Sequence, residues 1–411
     1  LFLSSSIYHN QLMFRYFTAG ESHGRALSAI IDGMPAGVSL TPEIINRHLA
    51  RRQQGYGRGH RMKIETDTVD ILNGVRFGKT IGAPITLLIE NRDWKNWTEK
   101  MSQFEDKSDA VKKIHVPRPG HADFTGRLKY GFDDIRPVIE RSSARETAAR
   151  VAACSVARQF LKELGIEIGS YLSAIGNAIE PEHTLALEAL ANGAETLMQL
   201  ADASPVRMIH KETEANAIAL IDEAKQRGDT LGGIIEVFVT GVPIGLGSYA
   251  QHDRKLDAQL AAAIISIQAV KGVEIGTAFR NAVSFGSQVH DELFIEAQGK
   301  PYRKTNRAGG IEGGMTNGEP IHLRVAMKPI STLMNPLRSV NLDTMQEELS
   351  HIERSDVCAA PACGVIAESV IAPVLMNAIL EKFGGDTLAE IQERISQYNA
   401  QVARAFVKEL R

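Results

Sequence analysis

Residues 74–85, Gly74-Val75-Arg76-Phe77-Gly78-Lys79-Thr80-Ile81-Gly82-Ala83-Pro84-Ile85, return in pattern at 310–321 as Gly310-Ile311-Glu312-Gly313-Gly314-Met315-Thr316-Asn317-Gly318-Glu319-Pro320-Ile321. Gly, Thr, Gly, Pro and Ile fall at the same offsets in both. Glycine reaches positive φ without a Cβ clash, so matching glycines predict the same tight turns. An apolar run follows each turn, at 85–89 and 321–325, and reads as a strand. A second pair agrees: Ile31-Asp32-Gly33-Met34-Pro35-Ala36-Gly37-Val38 resembles Val239-Thr240-Gly241-Val242-Pro243-Ile244-Gly245-Leu246. Both copies run strand, Gly-Pro turn, helix, Gly-rich turn, strand, which predicts an internal duplication.

Helical signals fill the intervals. Ser143-Ala144-Arg145-Glu146 has the form of a capping box. The helix it would start carries Ala148, Ala152, Val156 and Phe160 on one face, with Ala149, Ala153, Ala157 and Leu161 beside them and Gly165 as a stop. So wide a small-residue surface predicts burial against close neighbours. A second helix is expected over 253–271, ended by Gly272, and a third from Asp386 with Leu388, Ile391, Ile395, Tyr398, Val402 and Phe406 on one stripe. Buried helices with strand-rich edges predict an α+β layered fold, sheets flanking a helical core. No linker divides the chain, so residues 13–411 read as one domain. Residues 1–12, ahead of Met13, lack the basic start of a secretory signal and read as a non-native or disordered extension, or the stub of a targeting segment.

A formal net charge of −3 offers no global attraction to nucleic acid or to an anionic membrane, so anion binding must be local. No stretch approaches the consecutive apolar length of a membrane span. Cys154, Cys358 and Cys363 are odd in number and lack the partners of a zinc site, which predicts free thiols in a reducing cytoplasm and no metal.

Local charge is concentrated at 47–63, where five Arg, a Lys and two His occur without an acid. Arg51, Arg52, Arg58 and Arg61 run from a predicted helix into the loop Gly55-Tyr56-Gly57-Arg58-Gly59. Guanidinium forks on glycine backbone suit phosphate and carboxylate. A solvated basic surface or an RNA-binding loop would use the same residues, although interleaved aromatics are lacking. Gly20-Glu21-Ser22-His23-Gly24 satisfies the nucleophile-elbow pattern of serine hydrolases, but an apolar run at 27–31 follows where a helix is required. His23 therefore reads as an exposed acid or base. His121, in Arg118-Pro119-Gly120-His121-Ala122-Asp123, sits in a similar cluster. Arg141-Ser142-Ser143-Ala144-Arg145 places hydroxyls, amides and two arginines at a helix start, a further anion site.

These segments together resemble the chorismate synthase family. GESHG (20–24), RPGHAD (118–123), RSSARETAAR (141–150), SIQAVKGVEIG (266–276), FGSQVHDE (285–292), GGIEGGMTNGEPI (309–321), KPIST (328–332) and RSDVCAAPACGVIAES (354–369) occur in the family's order. The loop RRQQGYGRG (51–59) resembles the bacterial type, found also in Gram-positive sequences. The segment 176–228 carries no usable motif, and the prefix before Met13 departs from the pattern.

The resemblance implies a β-α-β sandwich, a helical core layer between two antiparallel sheets, assembled as a homotetramer in the cytoplasm with no nucleic-acid or membrane partner. It implies anti-1,4-elimination of phosphate from 5-enolpyruvylshikimate 3-phosphate, giving chorismate for aromatic amino-acid biosynthesis. Reduced FMN is then required, with NADPH as a candidate reductant. Carried over by motif, His23 would protonate the departing phosphate, His121 would serve the reduced flavin near N1, and Asp356 would help accept the proton from N5. FMN would contact Arg141, Ser142, Ser143, Gln268, Ala269, Gly313, Lys328, Pro329, Ile330, Ser331, Thr332 and Arg354. Arg52, Arg58, Arg118, Arg145 and Arg354 would clamp the substrate's anionic groups, with Arg52 and Arg58 serving substrate or NADP. Desolvating so many arginines is costly, which predicts a loose empty site with loop 55–59 as its moving part.

Overall fold

The computed structural model describes residues 13–59, 64–104, 111–181, 183–296 and 299–406. The extension 1–12, together with Arg61 and Lys63 of the basic stretch, lies outside the described residues. Two antiparallel sheets dominate. The first joins β1 (Arg15–Ala19), β2 (Ala26–Asp32), β3 (Asp70–Ile71) and β4 (Ile85–Glu90) in the order β1-β2-β4-β3. The second joins β5 (Glu167–Ile175), β6 (Ala178–Ile179), β7 (Gly233–Thr240), β8 (Val270–Ile275) and β9 (Ile321–Met327) in the order β8-β9-β7-β5-β6. Alternation sets which face is inward: Leu27, Ala29 and Ile31 on β2 and Ile85, Leu87 and Ile89 on β4 are buried, while Ile30 is exposed. The mixed α+β class expected from the sequence is the one observed.

The repeated sequences occupy matching places. Read from β1 and from β5, the sheets run β1-β2-β4-β3 and β5-β7-β9-β8. Between β2 and β4, the Thr80 hydroxyl donates to Pro35 O (2.6 Å) and accepts from Val38 N (3.0 Å). Between β7 and β9, the Thr316 hydroxyl donates to Pro243 O (2.6 Å) and accepts from Leu246 N (2.9 Å). Gly74 and Gly310 both have left-handed backbones, φ 80° and 78°. A Cβ on either would lie 2.5 Å from a carbonyl oxygen, Pro84 O or Pro320 O, so the shared glycine is a steric requirement.

Helices fill the space between. Those that matter for the site are α1 (Pro42–Gln53), α2 (Asp123–Tyr130), α3 (Arg136–Ser142), α4 (Thr147–Glu163), α5 (Leu256–Ile265), α6 (Ala360–Phe383) and α7 (Leu388–Phe406). Helix α4 packs on β2 and β4, α6 packs on β5 and β7, and the two helices pack on each other. Alanine makes this close approach possible: Ala148, Ala149, Ala152, Ala153 and Ala157 of α4 are all buried, as expected.

Three local expectations need correction. Ser143 accepts from Arg145 N (3.3 Å), but Glu146 does not reach back to close a capping box. Its carboxylate instead accepts from Thr18 Oγ1 (2.8 Å) and Gln268 Nε2 (3.2 Å), and a short 3-10 turn precedes α4. The helix expected over 253–271 is only α5, because residues from Val270 onward pair with β9. Tertiary pairing overrides local helical spacing there. Finally, α6 is long and apolar enough to cross a membrane. Glu368, Ser369 and Asn377 interrupt its consecutive apolar run without lowering its average, and the helix is buried within the fold.

Replacing Thr80 by Val should leave the buried Val38 N–H unpaired and lower stability by about 1–3 kcal/mol. Thr316→Val should do the same at Leu246. Urea unfolding would show similar midpoint losses for the two, and a loss confined to one would refute the equivalence of the hairpins.

Candidate active site

One cleft of about 520 Å³ gathers most of the predicted residues. Its walls are the ends of elements rather than their middles. Ser22 and His23 come from the β1–β2 turn, Arg52 from the last turn of α1, and Arg58 and Gly59 from the glycine loop. Arg118 and His121 precede α2, Ser142 and Ser143 end α3, and Arg145 precedes α4. Gln268 and Ala269 lead into β8, Lys328, Ile330, Ser331 and Thr332 leave β9, and Arg354 and Asp356 precede α6. Ala269 holds a left-handed φ of 66°, a costly conformation for alanine, and its carbonyl accepts from Lys328 N (2.9 Å). Three predicted residues do not line the cleft. Arg141 donates to Thr18 O (2.9 Å) and Gly20 O (3.1 Å), Pro329 lies between the lining residues Lys328 and Ile330, and Gly313 tips the hairpin before β9.

The five arginines lining the cleft are each backed by a carboxylate. Arg52 Nη1 and Arg145 Nη1 share Asp67, at 3.2 and 2.5 Å, and both arginines are buried. At Arg51 and Arg52 the basic stretch is therefore not a solvated surface, although Arg47 is exposed. Burial pushes Arg52 down to about 10, with the charge of Asp67 opposing the shift. Arg118 forks onto Asp123 (2.8 and 3.0 Å) and donates to Thr332 Oγ1 (2.8 Å). Arg354 meets Asp93 at 2.9 Å, and Arg58 meets Asp356 at 3.1 Å. The glycine loop is docked rather than loose, contrary to expectation: Gly59 N donates to Asp356 Oδ1 (2.7 Å) and Val357 N to Gly57 O (2.8 Å).

The two histidines are held alike. His23 Nδ1 lies 2.9 and 3.1 Å from the oxygens of buried Glu140, and its ring stacks on Trp97 at 3.8 Å. His121 Nδ1 lies 2.5 Å from Asp123 Oδ1. Burial would raise the Asp123 carboxyl, but hydrogen bonds and charge from His121 and Arg118 hold it well below the usual range. Ser22 Oγ pairs with Ser143 Oγ (3.1 Å) and is followed by β2, so no nucleophile elbow exists. Cys363 lines the cleft as an inert thiol, pushed up to about 12 by burial.

Sequence reasoning missed Glu140, Asp67, Asp93 and Trp97. A signal existed for two of them: Glu140 follows Arg136 at helical spacing, and Glu65 and Asp67 come directly after the basic stretch. The lining also includes the apolar side chains Ile139, Ile267, Met327, Ile330 and Ile366. Gln268 Oε1, buried in the cleft, lacks a hydrogen-bond partner among the described residues, while Arg145 Nη2 lies 3.7 Å from Glu65 as an ion pair. Apolar lining, an unpaired amide oxygen and concentrated cations fit a flat heteroaromatic ring with an anionic tail beside a small polyanion.

Fold and cleft thus define an α+β enzyme that handles a phosphorylated or carboxylated small molecule. The chain matches the family model described as chorismate synthase over residues 14–380, and it belongs to that family. It is 68% identical over 388 residues to the chorismate synthase of Chloroherpeton thalassium, covering 94% of this chain and 99% of the relative. It is 67% identical over 395 residues to that of Chlorobium phaeobacteroides, covering 96% and 100%. A crystal structure of chorismate synthase superposes with a TM-score of 0.76 at 40% identity, covering 95% and 99%. The family is flavin-dependent.

Two outcomes follow from the paired charges. Asp67→Asn leaves two buried guanidinium groups without their carboxylate, so stability should fall by about 3–5 kcal/mol. Added inorganic phosphate should restore part of the urea midpoint, and no rescue would count against an anion site. For Glu353, burial would raise the carboxyl, but the His351 hydrogen bond and Arg136 lower it to about 2. A depressed carboxyl stabilises the fold above its unfolded value of ~4.3 and loses that contribution as pH falls toward about 2. Glu353→Gln should therefore flatten the acid-unfolding curve in that window, and an unchanged slope would show the pair to be inconsequential.

Proposed function

We propose that the chain eliminates phosphate from 5-enolpyruvylshikimate 3-phosphate in the anti-1,4 sense, giving chorismate, with reduced FMN bound in the cleft. The observation that carries the reading is the convergence of Arg52, Arg58, Arg118, Arg145, Arg354, His23 and His121 on one cavity with apolar lining. The substrate carries a phosphate and two carboxylates, and the arginine cluster supplies matching charge in a protein of near-zero net charge. Reduced FMN, when bound, supplies an electron-rich ring beside the breaking bonds. Ser142, Ser143, Gln268, Ala269, Lys328, Ile330, Ser331, Thr332 and Arg354 line the cleft and would hold it.

His23 has Nδ1 committed to Glu140, so Nε2 is the nitrogen left to donate a proton to the departing phosphate. His121 and Asp356 both line the cleft; His121 would serve the reduced flavin near N1, and Asp356 would help accept the proton from N5. Arg52 and Arg58 serve the substrate or a nucleotide phosphate. The reading extends to a cytoplasmic homotetramer, with NADPH as a candidate reductant and residues 13–411 as one domain. The packing of α4 on the first sheet, α6 on the second and the two on each other supports the β-α-β sandwich. The paired hairpins support an internal duplication.

Mixed anaerobically with dithionite-reduced FMN and 5-enolpyruvylshikimate 3-phosphate, the protein should release chorismate, and none should form with oxidised flavin. His23→Ala should lower kcat by on the order of 10²–10⁴-fold. Arg52→Ala should raise the substrate's KM, and an unchanged affinity would remove Arg52 from the clamp.

A further inference from the structure

We infer that Glu140 is the positioning residue that decides which ring nitrogen His23 presents to the cleft, as Asp123 does for His121. The inference rests on His23 acting as the proton donor. Glu140, on α3, is buried to 1% exposure and grips the β1–β2 turn at three points. Its backbone oxygen accepts from Ser22 N (3.1 Å), Oε2 accepts from His23 N (2.7 Å), and both carboxylate oxygens face His23 Nδ1.

A carboxylate can only accept, so Nδ1 must carry the hydrogen between them. Burial would raise the Glu140 carboxyl, yet the hydrogen bonds and charge of His23, together with Arg136, hold it below its ordinary range. Neighbours hold Glu140 and the ring in this arrangement. Arg136 Nη1 lies 3.3 Å from Glu140 Oε1 and 2.9 Å from Glu353, and Trp97 stacks on the imidazole with 18° between planes. Asp93, itself paired with Arg354, also faces His23.

The second pair repeats the logic. Asp123 is fixed by the Arg118 fork and lies 2.5 Å from His121 Nδ1, so that nitrogen also carries hydrogen. Arg118 Nη2, 3.0 Å from the same nitrogen, is then a neighbour and not a donor to it.

The tautomer matters to the chemistry. When His23 imidazolium gives its Nε2 proton to a phosphate oxygen, the N–H bond breaks, the O–H bond forms, and the neutral ring is left with hydrogen on Nδ1. That is the tautomer Glu140 stabilises, so donation needs no ring rotation. Glu140→Gln keeps the shape but replaces an obligatory acceptor by an amide that can donate to Nδ1, which admits the Nε2–H form.

Solid-state NMR of the full-length protein labelled with ¹⁵N-histidine reads the tautomer directly, the His23 signals being assigned by their loss in His23→Ala. Neutral His23 should hold its hydrogen on Nδ1 in the wild type, and finding it on Nε2 would overturn the inference without any variant of Glu140. In Glu140→Gln the Nε2–H form should appear, and kcat should fall by on the order of 100-fold with KM changed less than about two-fold. An unchanged tautomer, or a changed tautomer with unchanged kcat, would each overturn it. Full activity in His23→Ala would instead remove the proton-donor reading on which it stands.

Discussion

Glu368, in the middle of α6 and out of contact with water, accepts from three arginines and a serine. Arg51 reaches both of its oxygens (2.7 and 3.0 Å), Arg158 reaches one (2.7 Å), and Arg207 (2.9 Å) and Ser170 (2.6 Å) share the other. Burial alone would neutralise such a carboxyl, but three guanidinium charges keep it ionised, well below its ordinary value. Those partners come from α1, α4, β5 and the loop bearing Arg207, so one side chain joins three helices of the fold to the second sheet. Asp202 takes the remaining valence of Arg51. With Arg51 tied inward, the last turn of α1 is fixed, and its neighbour Arg52 is delivered to the cleft.

The cleft repeats this principle at its rim. Asp67, Asp93, Asp123, Glu140 and Asp356 stand behind Arg52 and Arg145, Arg354, Arg118 and His121, His23, and Arg58 respectively. Without ligand, so many like charges would repel one another in a poorly solvated cavity. Paired as they are, each cation keeps part of its donor set for an incoming anion while its position is already set. Most of the ordering that a loose loop would demand on binding is therefore done in advance, and the docking of Gly57 and Gly59 on residues 355–357 belongs to the same preorganisation.

What the sequence disclosed and what it hid divide along these lines. Glycine and proline at fixed offsets report backbone geometry directly, which is why the turns at 74–85 and 310–321 and their following strands were legible. Cations and histidines in glycine-rich loops were legible as a set, since few structural roles need them there. Their counter-ions were not. Glu140 sits in a helix between isoleucine and arginine, and Asp93 lies in a short 3-10 turn, where an acid is ordinary. Arg51 and Arg52 are adjacent and identical in type, yet one serves the core and the other the cleft, a distinction fixed only by Glu368, some 300 residues away. The capping box failed for a related reason: Glu146 had better partners across the fold, in Thr18 and Gln268.

The paired halves also account for the mixed character of the cleft. Helix α1 and helix α5 follow the equivalent turns, Gly33–Val38 in one half and Gly241–Leu246 in the other, and each ends at the cavity. Their ends differ in chemistry. Beyond α1 come Arg52, Arg58 and Gly59; beyond α5 come Ile267, Gln268 and Ala269. The end of α1 thus supplies charge for anionic groups, and the end of α5 supplies an apolar side chain and an unsatisfied amide oxygen, suited to a planar ring. A site that takes a polyanion together with a flat, weakly polar partner needs both kinds of lining. The matching turn-and-helix units, in halves joined by the packing of α4 on α6, bring both helix ends to one cleft, where the residues just beyond each end decide what it offers.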